Sequence, residues 1–462
     1  MCKTCKSDIR FSKRAEKGLG FQLVVQCKCE TEIRIPNSPQ LNTSFEINRR
    51  FVFAMRMIGV GFQGISNFCG LMDMSHGFSP STYYDLVEHI WIAAKTVASI
   101  VFRRAVEEEQ QKNENAGNIK NHLTVSGDGS WARRGFSSLI GLATLIGKYS
   151  GKVLDLVVKS SVCKKCSMWK GNKDDIEFNV WYEEHQSTCD INHEGSAGLM
   201  EVNSVIEMFE RSMSLHNVYY EKYVGDGDTK TFKQLKDIAP YGEDVIVKKK
   251  ECVLHVKKRM YKRAKDIKTE LTRMKKTKKI LEERSNVGNS SKSKPTASTK
   301  RKSAARKSIE KPIVKTAAFT NDIMKKLSTY YELAVRRHSD SVEEMRIAIW
   351  ATFFHKFSTD EKPNHDNCPE GADSWCAYRV AEAIGELDTF KHPPALDDQI
   401  QPLLKKVYED LTTEDLLERC IGADTQNSNE AFNSCVWHLV PKNMFAGKKN
   451  RRDCELLCCM HI

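Results

Sequence analysis

The stretch His122-Leu-Thr-Val-Ser-Gly-Asp-Gly-Ser-Trp131 decides the fold. Leu123 and Val125 alternate with Thr124 and Ser126, and the run then breaks on Gly127-Asp128-Gly129, as a strand does where it ends at a cleft or turn. Downstream, Ser138–Ile146 reads as a second apolar strand, Gly147–Gly151 as a turn and Val153–Val158 as a third strand. Links this short favour an antiparallel meander. Leu199, Val202, Ile206, Phe209 and Met213 then mark one face of a helix. A fourth strand, Val218–Val224, runs into Gly225-Asp226-Gly227-Asp228.

Three antiparallel strands, a helix and a further strand match the opening of a ribonuclease H-like fold, so the expected class is α+β. Asp128 and Asp226 each stand where an apolar strand stops, in nearly identical settings. A carboxylate there is held on rigid backbone with its head in an open cleft. Two such groups from neighbouring strands suit divalent metals about 3.5–4 Å apart, the arrangement used for phosphoryl transfer. Asp-Gly by itself is a common turn dipeptide; the repeated context and the strand order argue for more. Asp228, two residues on, is the alternate to Asp226. The third candidate is Glu430, in Thr425-Gln-Asn-Ser-Asn-Glu-Ala-Phe-Asn-Ser434. Helical spacing sets Glu430 with Asn427 and Asn433 on one face, and Phe432 with Val436 on another.

At 462 residues the chain has room for two or three domains. Its net charge of +12 favours a polyanionic partner, nucleic acid before membrane. The excess is concentrated in 248–279, which carries 15 basic and 3 acidic residues. That segment reads as one basic helix with Val253, Val256 and Met260 as its apolar side. Its first residues, Lys248, Lys249, Lys250, Lys257, Lys258, Arg259, Lys262 and Arg263, are the candidate DNA contacts, supplying sequence-independent affinity. A solvated lysine-rich helix is the plainer reading, weakened because acidic partners at i+4 are few. No run of about 18 apolar residues suggests a membrane span, and the first residues show no secretory signal. Residues Phe45 to Arg103 pattern as helix and Glu107 to Asn121 as a polar linker. Helical patterning returns at Ile323–Leu333, Val342–Phe354 and Ile400–Leu411. Arg284 to Pro312 has nothing to build a core from and reads as disordered. Within it, Lys300-Arg-Lys302 through Arg306-Lys307 is a candidate nuclear localisation signal, and the nucleus is the expected compartment.

Sixteen cysteines in a chain with no export signal argue for zinc rather than disulfides. Cys163-x2-Cys166 with His185-x3-Cys189 is a finger-like set interrupting the core between third strand and helix, with His193 in reserve. Cys2-x2-Cys5 and Cys27-x-Cys29 form a second candidate site around the strand-like run Phe21–Val25. His365-x2-Cys368 with Cys376, and His355 as a further candidate, makes a third. Borderline-soft Zn2+ accepts thiolate and imidazole together.

Taken together, these segments resemble the Mutator-like transposases. The likeness is carried by Ser126-Gly-Asp-Gly-Ser-Trp131, Asn192-His-Glu-Gly-Ser-Ala197, Tyr223-Val-Gly-Asp-Gly-Asp228 and Cys252-Val-Leu-His255. It continues through Cys368-Pro369, Ser374-Trp-Cys376, Asp424-Thr-Gln-Asn427 and Asn429-Glu-Ala-Phe-Asn433. The resemblance implies a DDE triad of Asp128, Asp226 and Glu430, holding Mg2+ or Mn2+ for DNA cleavage and strand transfer. It also implies a homo-oligomer acting on transposon ends and target DNA. Cys252 and His255 occupy the family's Cys-x2-His motif; their residue types fit either a core pair or a metal neighbour.

The implied layout begins with a Cys-rich module (1–44) and a helical region (45–118). A ribonuclease H-like core follows (119–256), interrupted by the finger-like insertion (162–194). A helical insertion (257–418) contains the basic linker (284–312), and a core helix (419–450) returns with Glu430. The tail (451–462) is atypical, where the family pattern would continue through further helix, and the start with Cys2 directly after Met1 reads as clipped. Clipped ends favour weak turnover. They also keep open a second reading, a catalytically inactive nuclear DNA-binding or zinc-interaction protein derived from such a transposase.

Overall fold

Short antiparallel strands begin the chain. β1 (Arg10–Lys17), β2 (Gly20–Gln26) and β3 (Glu32–Pro36) form a three-stranded sheet in that order. A pair of two-residue strands, β4 (Gln40–Leu41) and β5 (Ser44–Phe45), leads into helices α1 (Glu46–Met57), α2 (Phe62–Leu71) and α3 (Pro80–Asn115). The computed structural model describes residues 1–29, 32–41, 44–74, 78–132, 138–225, 229–288, 317–397 and 399–439. The chain divides into two units, one of residues 1–248 with 426–462 and one of 249–425.

The first unit is built around β6 (His122–Trp131), β7 (Ile140–Gly147) and β8 (Val153–Ser160). The short helices α4 (Lys164–Ser167) and α5 (Ile176–Gln186) follow, then α6 (Ala197–His216), β9 (Tyr219–Gly225) and α7 (Thr229–Ile238). β10 (Lys248–Glu251) brings the sheet to five strands in the order β10-β9-β6-β7-β8. β6 and β8 run antiparallel to β7, while β9 is parallel to β6. The result is a mixed sheet in an α+β protein.

Apolar alternation explains how both faces are covered. Leu123, Val125, Leu145 and Leu154 pack against Val205 and Phe209 of α6 on one face. Leu142, Ile146, Val153 and Val158 pack against Phe432 and Val436 of the last helix on the other. β7 is buried along its whole length, as a strand covered on both faces should be. Gly127 has a steric reason: a Cβ there would lie 2.4 Å from the Tyr223 ring of β9.

The segment expected as a polar linker, Glu107 to Asn121, is instead largely helix, because α3 continues to Asn115. Its polarity has a different cause. Glu109, fully buried, accepts from the backbone N–H groups of Tyr149 and Ser150 at 3.1 and 2.6 Å and so clamps the β7–β8 turn. Asn113 donates to the carbonyls of Ile119 and His122. Gly147 makes room, since a Cβ there would meet Glu109 Oε2 at 2.4 Å. Charge-assisted bonds of this kind are worth about 1.5–3 kcal/mol. Glu109→Ala is therefore expected to cost about 3 kcal/mol in urea unfolding; an unchanged midpoint would mean the turn holds itself.

The second unit is helical. α8 (Val253–Gly288), α9 (Asn321–Arg337), α10 (Val342–His355), α11 (Ala377–Ile384), α12 (Gln401–Leu411) and α13 (Glu414–Cys420) follow in turn. Met260, Leu327, Tyr331, Ile349, Phe353, Leu404 and Tyr408 form its core. The basic helix expected over 248–279 starts only at Val253, because Lys248, Lys249 and Lys250 belong to strand β10. Of the linker 284–312, residues up to Gly288 close α8; the remainder, with the localisation motif, lies outside the described residues, as does the tail 451–462. The chain re-enters the first unit at α14 (Asn427–Leu439). No described helix is long and apolar enough to cross a membrane.

Candidate active site and metal centres

The strand does not stop at Gly127-Asp128-Gly129: β6 runs on to Trp131, so Asp128 lies inside it, paired across to Thr144 of β7, because ladder pairing continues through both glycines. α14 lies against the same strand and is fastened to it by a stripe of side-chain donors at helical spacing. Gln426 Nε2 donates to the Gly127 carbonyl at 2.6 Å, and Asn429 Nδ2 to the Ser126 carbonyl at 3.1 Å. Asn433 Nδ2 donates to Asp128 Oδ2 at 2.8 Å, and Trp437 Nε1 to Ser130 Oγ at 2.6 Å. One open cleft is consequently lined by Asp128, Ser130, Glu430, Asn433, Ser434, Trp437 and His438. Glu430 is exposed there, whereas Asn429 and Asn433 are buried.

Helical spacing alone groups Asn427 with Asn433 beside Glu430, and the structure differs. Asn427 is exposed, and the docking amides are Gln426, Asn429 and Asn433. The signal that would have found them is the i, i+3, i+7 recurrence of amides ahead of an indole at i+11. On the neighbouring strand, Ser126 pairs with Val224 and β9 ends at Gly225. Asp226 and its alternate Asp228 follow in the chain and lie outside the described residues.

All three candidate metal sets, one of four cysteines and two of cysteine with histidine, are drawn together, each with its four candidate ligand atoms within 4.8 Å of one another. Tetrahedral zinc, about 2.0–2.3 Å from its ligands, needs ligand–ligand edges of about 3.3–3.8 Å. In the finger-like insertion, Cys163 Sγ lies 3.3 Å from His185 Nε2, and Cys166 Sγ lies 3.6 Å from Cys189 Sγ. His193, the reserve ligand, is not in the group; its Nε2 meets the Ser196 carbonyl. Burial opposes ionisation of Cys163, but the backbone N–H groups of Asp190 and Cys166 and the His185 ring outweigh it and bring the thiol down to about 7.

At the N-terminus, Cys2, Cys5, Cys27 and Cys29 converge, with Cys2 and Cys29 sulfurs 3.8 Å apart. Backbone N–H groups of Cys5 and Thr4 draw the Cys2 thiol down to about 6. The third set is complete only with His355: its Nδ1 lies 3.3 Å from His365 Nδ1 and 3.5 Å from Cys376 Sγ. Each set can hold a structural metal such as zinc. Cys252 is buried and His255 half-buried at the start of α8, and neither joins a metal-sized group among the described residues.

Most of the candidate DNA contacts have partners inside the protein. Lys248 pairs with Glu221 at 2.8 Å, Lys257 with Glu332 at 2.6 Å and Arg263 with Asp410 at 2.9 Å. Buried Glu251 takes both Lys249 and Arg259, and Lys250 Nζ donates to the carbonyls of Glu418 and Ile421. None of these partners stands at i+4, and Glu221, Glu332, Asp410, Glu418 and Ile421 are distant in sequence, so a count of acids at i+4 misses them. Lys258 and Lys262 are exposed, as are Lys265, Arg273, Lys275 and Lys276 further along α8.

A family model for Mutator-like transposases matches residues 1–376. This span includes Asp128, Asp226 and the three candidate metal sets, and it ends before Glu430. No curated protein and no solved structure matches the chain significantly. A match over this much of the sequence, with DNA as the implied partner, identifies the chain as a member of the Mutator-like transposase family.

Proposed function

We propose that the protein is a metal-dependent DNA strand transferase with a ribonuclease H-like core and a triad of Asp128, Asp226 and Glu430, Asp228 being the alternate second member. The observation that carries this reading is the single cleft shared by Asp128 and Glu430, residues that the whole second unit separates in sequence. The sheet order supports it: a meander of three strands followed by one parallel to the first brings β9 beside β6. Bound Mg2+ or Mn2+ would supply Lewis-acid activation of the attacking and leaving oxygens. The protein's part is positional. Asn433 holds one oxygen of Asp128, and the stripe from Gln426 to Trp437 fixes where along β6 the Glu430 turn lies. On this reading the protein works in the nucleus, as a homo-oligomer on transposon ends and target. A labelled duplex carrying candidate ends, incubated with Mg2+ or Mn2+, tests it: metal-dependent cleavage and strand transfer are expected, and metal-independent binding alone would reject it in favour of a non-catalytic relative.

Sequence-independent affinity is assigned to the exposed run of α8 rather than to its ion-paired start. If about six phosphates are contacted, log affinity falls against log salt with a slope near about −5. Replacing Lys262, Lys265, Arg273, Lys275 and Lys276 together with Gln is expected to flatten that slope to about −1. Replacing Lys249, Lys257 and Arg259 instead is expected to lower stability with little change in slope. The opposite pattern would return DNA contact to the first turns of the helix.

A further inference from the structure

The third cysteine–histidine set continues outward from its ligands. His365 faces the other three through Nδ1, 3.3 Å from Cys376 Sγ and 3.7 Å from Cys368 Sγ. Its other ring nitrogen, Nε2, lies 2.9 Å from His392 Nε2. His392 Nδ1 in turn lies 2.7 Å from Asp360 Oδ1, which also accepts the His392 backbone N–H at 2.9 Å. His392 is nearly buried, its side chain 7% exposed, whereas the Asp360 side chain is 45% exposed and reaches solvent.

We propose that Asp360 and His392 are the outer shell of a zinc site at His355, His365, Cys368 and Cys376, and that they fix His365 as an Nδ1 ligand. An ionised carboxylate only accepts, so the hydrogen between Asp360 and His392 sits on His392 Nδ1. A neutral imidazole carries one N–H, which leaves His392 Nε2 a bare acceptor. The 2.9 Å contact between two ring nitrogens then requires the hydrogen on His365 Nε2. His365 Nδ1 is left with its lone pair directed among the two sulfurs and His355 Nδ1. One carboxylate thereby sets the tautomer of two rings in series, as outer-shell partners do when they orient a ligating histidine.

Other contacts hold the ring in that pose. Tyr378 stacks on His365 at 4.3 Å with planes 10° apart, and Arg379 Nε donates to the His365 carbonyl at 3.2 Å. His392 cannot exchange roles with His365, because it approaches the Nε2 edge, which faces away from the sulfurs. The relay also ties the segment around His392 to the zinc ligands: Phe390 and His392 both pack on Tyr378.

The test uses the full chain, with zinc counted during titration by a competing chelator. His392→Ala and Asp360→Asn are each expected to make one equivalent, the one absent from Cys376→Ser, about 10–100-fold easier to remove. Native chelator resistance of that equivalent in both variants would overturn the proposal. Should His392→Ala fail to fold, long-range 15N couplings in the native protein give an independent reading. A protonated Nε2 and a metal-bound Nδ1 on His365 are expected; coordination through Nε2 would overturn it.

Discussion

Asp128→Ala is expected to lower Mg2+- or Mn2+-dependent DNA cleavage by about 10³-fold or more. Metal-held charge stabilisation is worth several kcal/mol in a transition state of this type, and each 1.36 kcal/mol is about a factor of ten in rate. Asp128→Asn separates charge from shape. The substituted amide still offers an oxygen to Asn433 Nδ2, so the 2.8 Å contact to α14 is retained while the negative charge is lost. Both variants should lose activity together. Asp128→Asn should unfold at nearly the native temperature, and its Mn2+ affinity, read by calorimetry, should fall with its rate. Asn433→Ala is the complementary change: it leaves the carboxylate but removes the hydrogen bond that Asn433 donates to it, and should cost less than removing Asp128. Cleavage within tenfold of native in Asp128→Asn would show that this carboxylate does not hold the metal, and the triad reading would fail with it.

What the sequence disclosed follows from which interactions are periodic. Strands β6 to β9 lie on the apolar runs of the sequence, because burial in a sheet is written into local stretches of apolar residues, although β6 continues through Gly127 and Gly129 to Trp131, where the glycines suggested a break. The candidate metal sets are legible for a similar reason, since two ligand-type residues within one turn leave a short spacing. Buried polar contacts between distant segments leave no period. Glu109 and Asn113 looked like linker residues because nothing local shows that the β7–β8 turn and the approach to β6 lie above them. The lysines of 248–250 extended a basic run that looked helical, and only pairing within a sheet makes them a strand. Lys257 and Arg263 looked unpartnered because Glu332 and Asp410 belong to other helices. His392 and Asp360 carry no motif spacing at all; they are found only once the loop they close is folded.

Removing the metal from the finger-like insertion is expected to unfold that insertion while leaving the sheet intact. The reason is how little else is buried there. α5 buries one residue, His185, and α4 buries one, Cys166, and both belong to the candidate metal set. Ile176 is 81% exposed, Val180 59% and Met168 67%, so the apolar side chains that would otherwise make a core face solvent. What remains is a half-exposed aromatic group, Trp169, Phe178, Trp181 and Tyr182, with Trp181 stacked on the His185 ring at 4.7 Å. Thr188 Oγ1, 3.2 Å from His185 Nδ1, orients the ring from its other side. A segment with so small a core folds by metal coordination, for which apparent free energies of about 10–16 kcal/mol are typical of zinc-finger peptides at neutral pH. Cys163→Ser with Cys166→Ser should therefore lose one zinc equivalent, and amide protection over Ile176–Gln186 should collapse. Protection in β7 and β8, whose buried residues pack on α6 and α14, should survive. Persistent protection of α5 in the zinc-deficient variant would show that the aromatic group alone is sufficient. Loss of the sheet together with α5 would instead make the metal a strut of the whole first unit, because the insertion leaves the core at Ser160 and re-enters it at Ala197, and both ends are anchored. Asn192 fastens the return, its Oδ1 accepting the Ser160 N–H at 2.7 Å and its Nδ2 donating to the Val158 carbonyl at 2.9 Å. Those two bonds belong to the strand rather than to the metal, which is why the sheet is expected to outlast the finger.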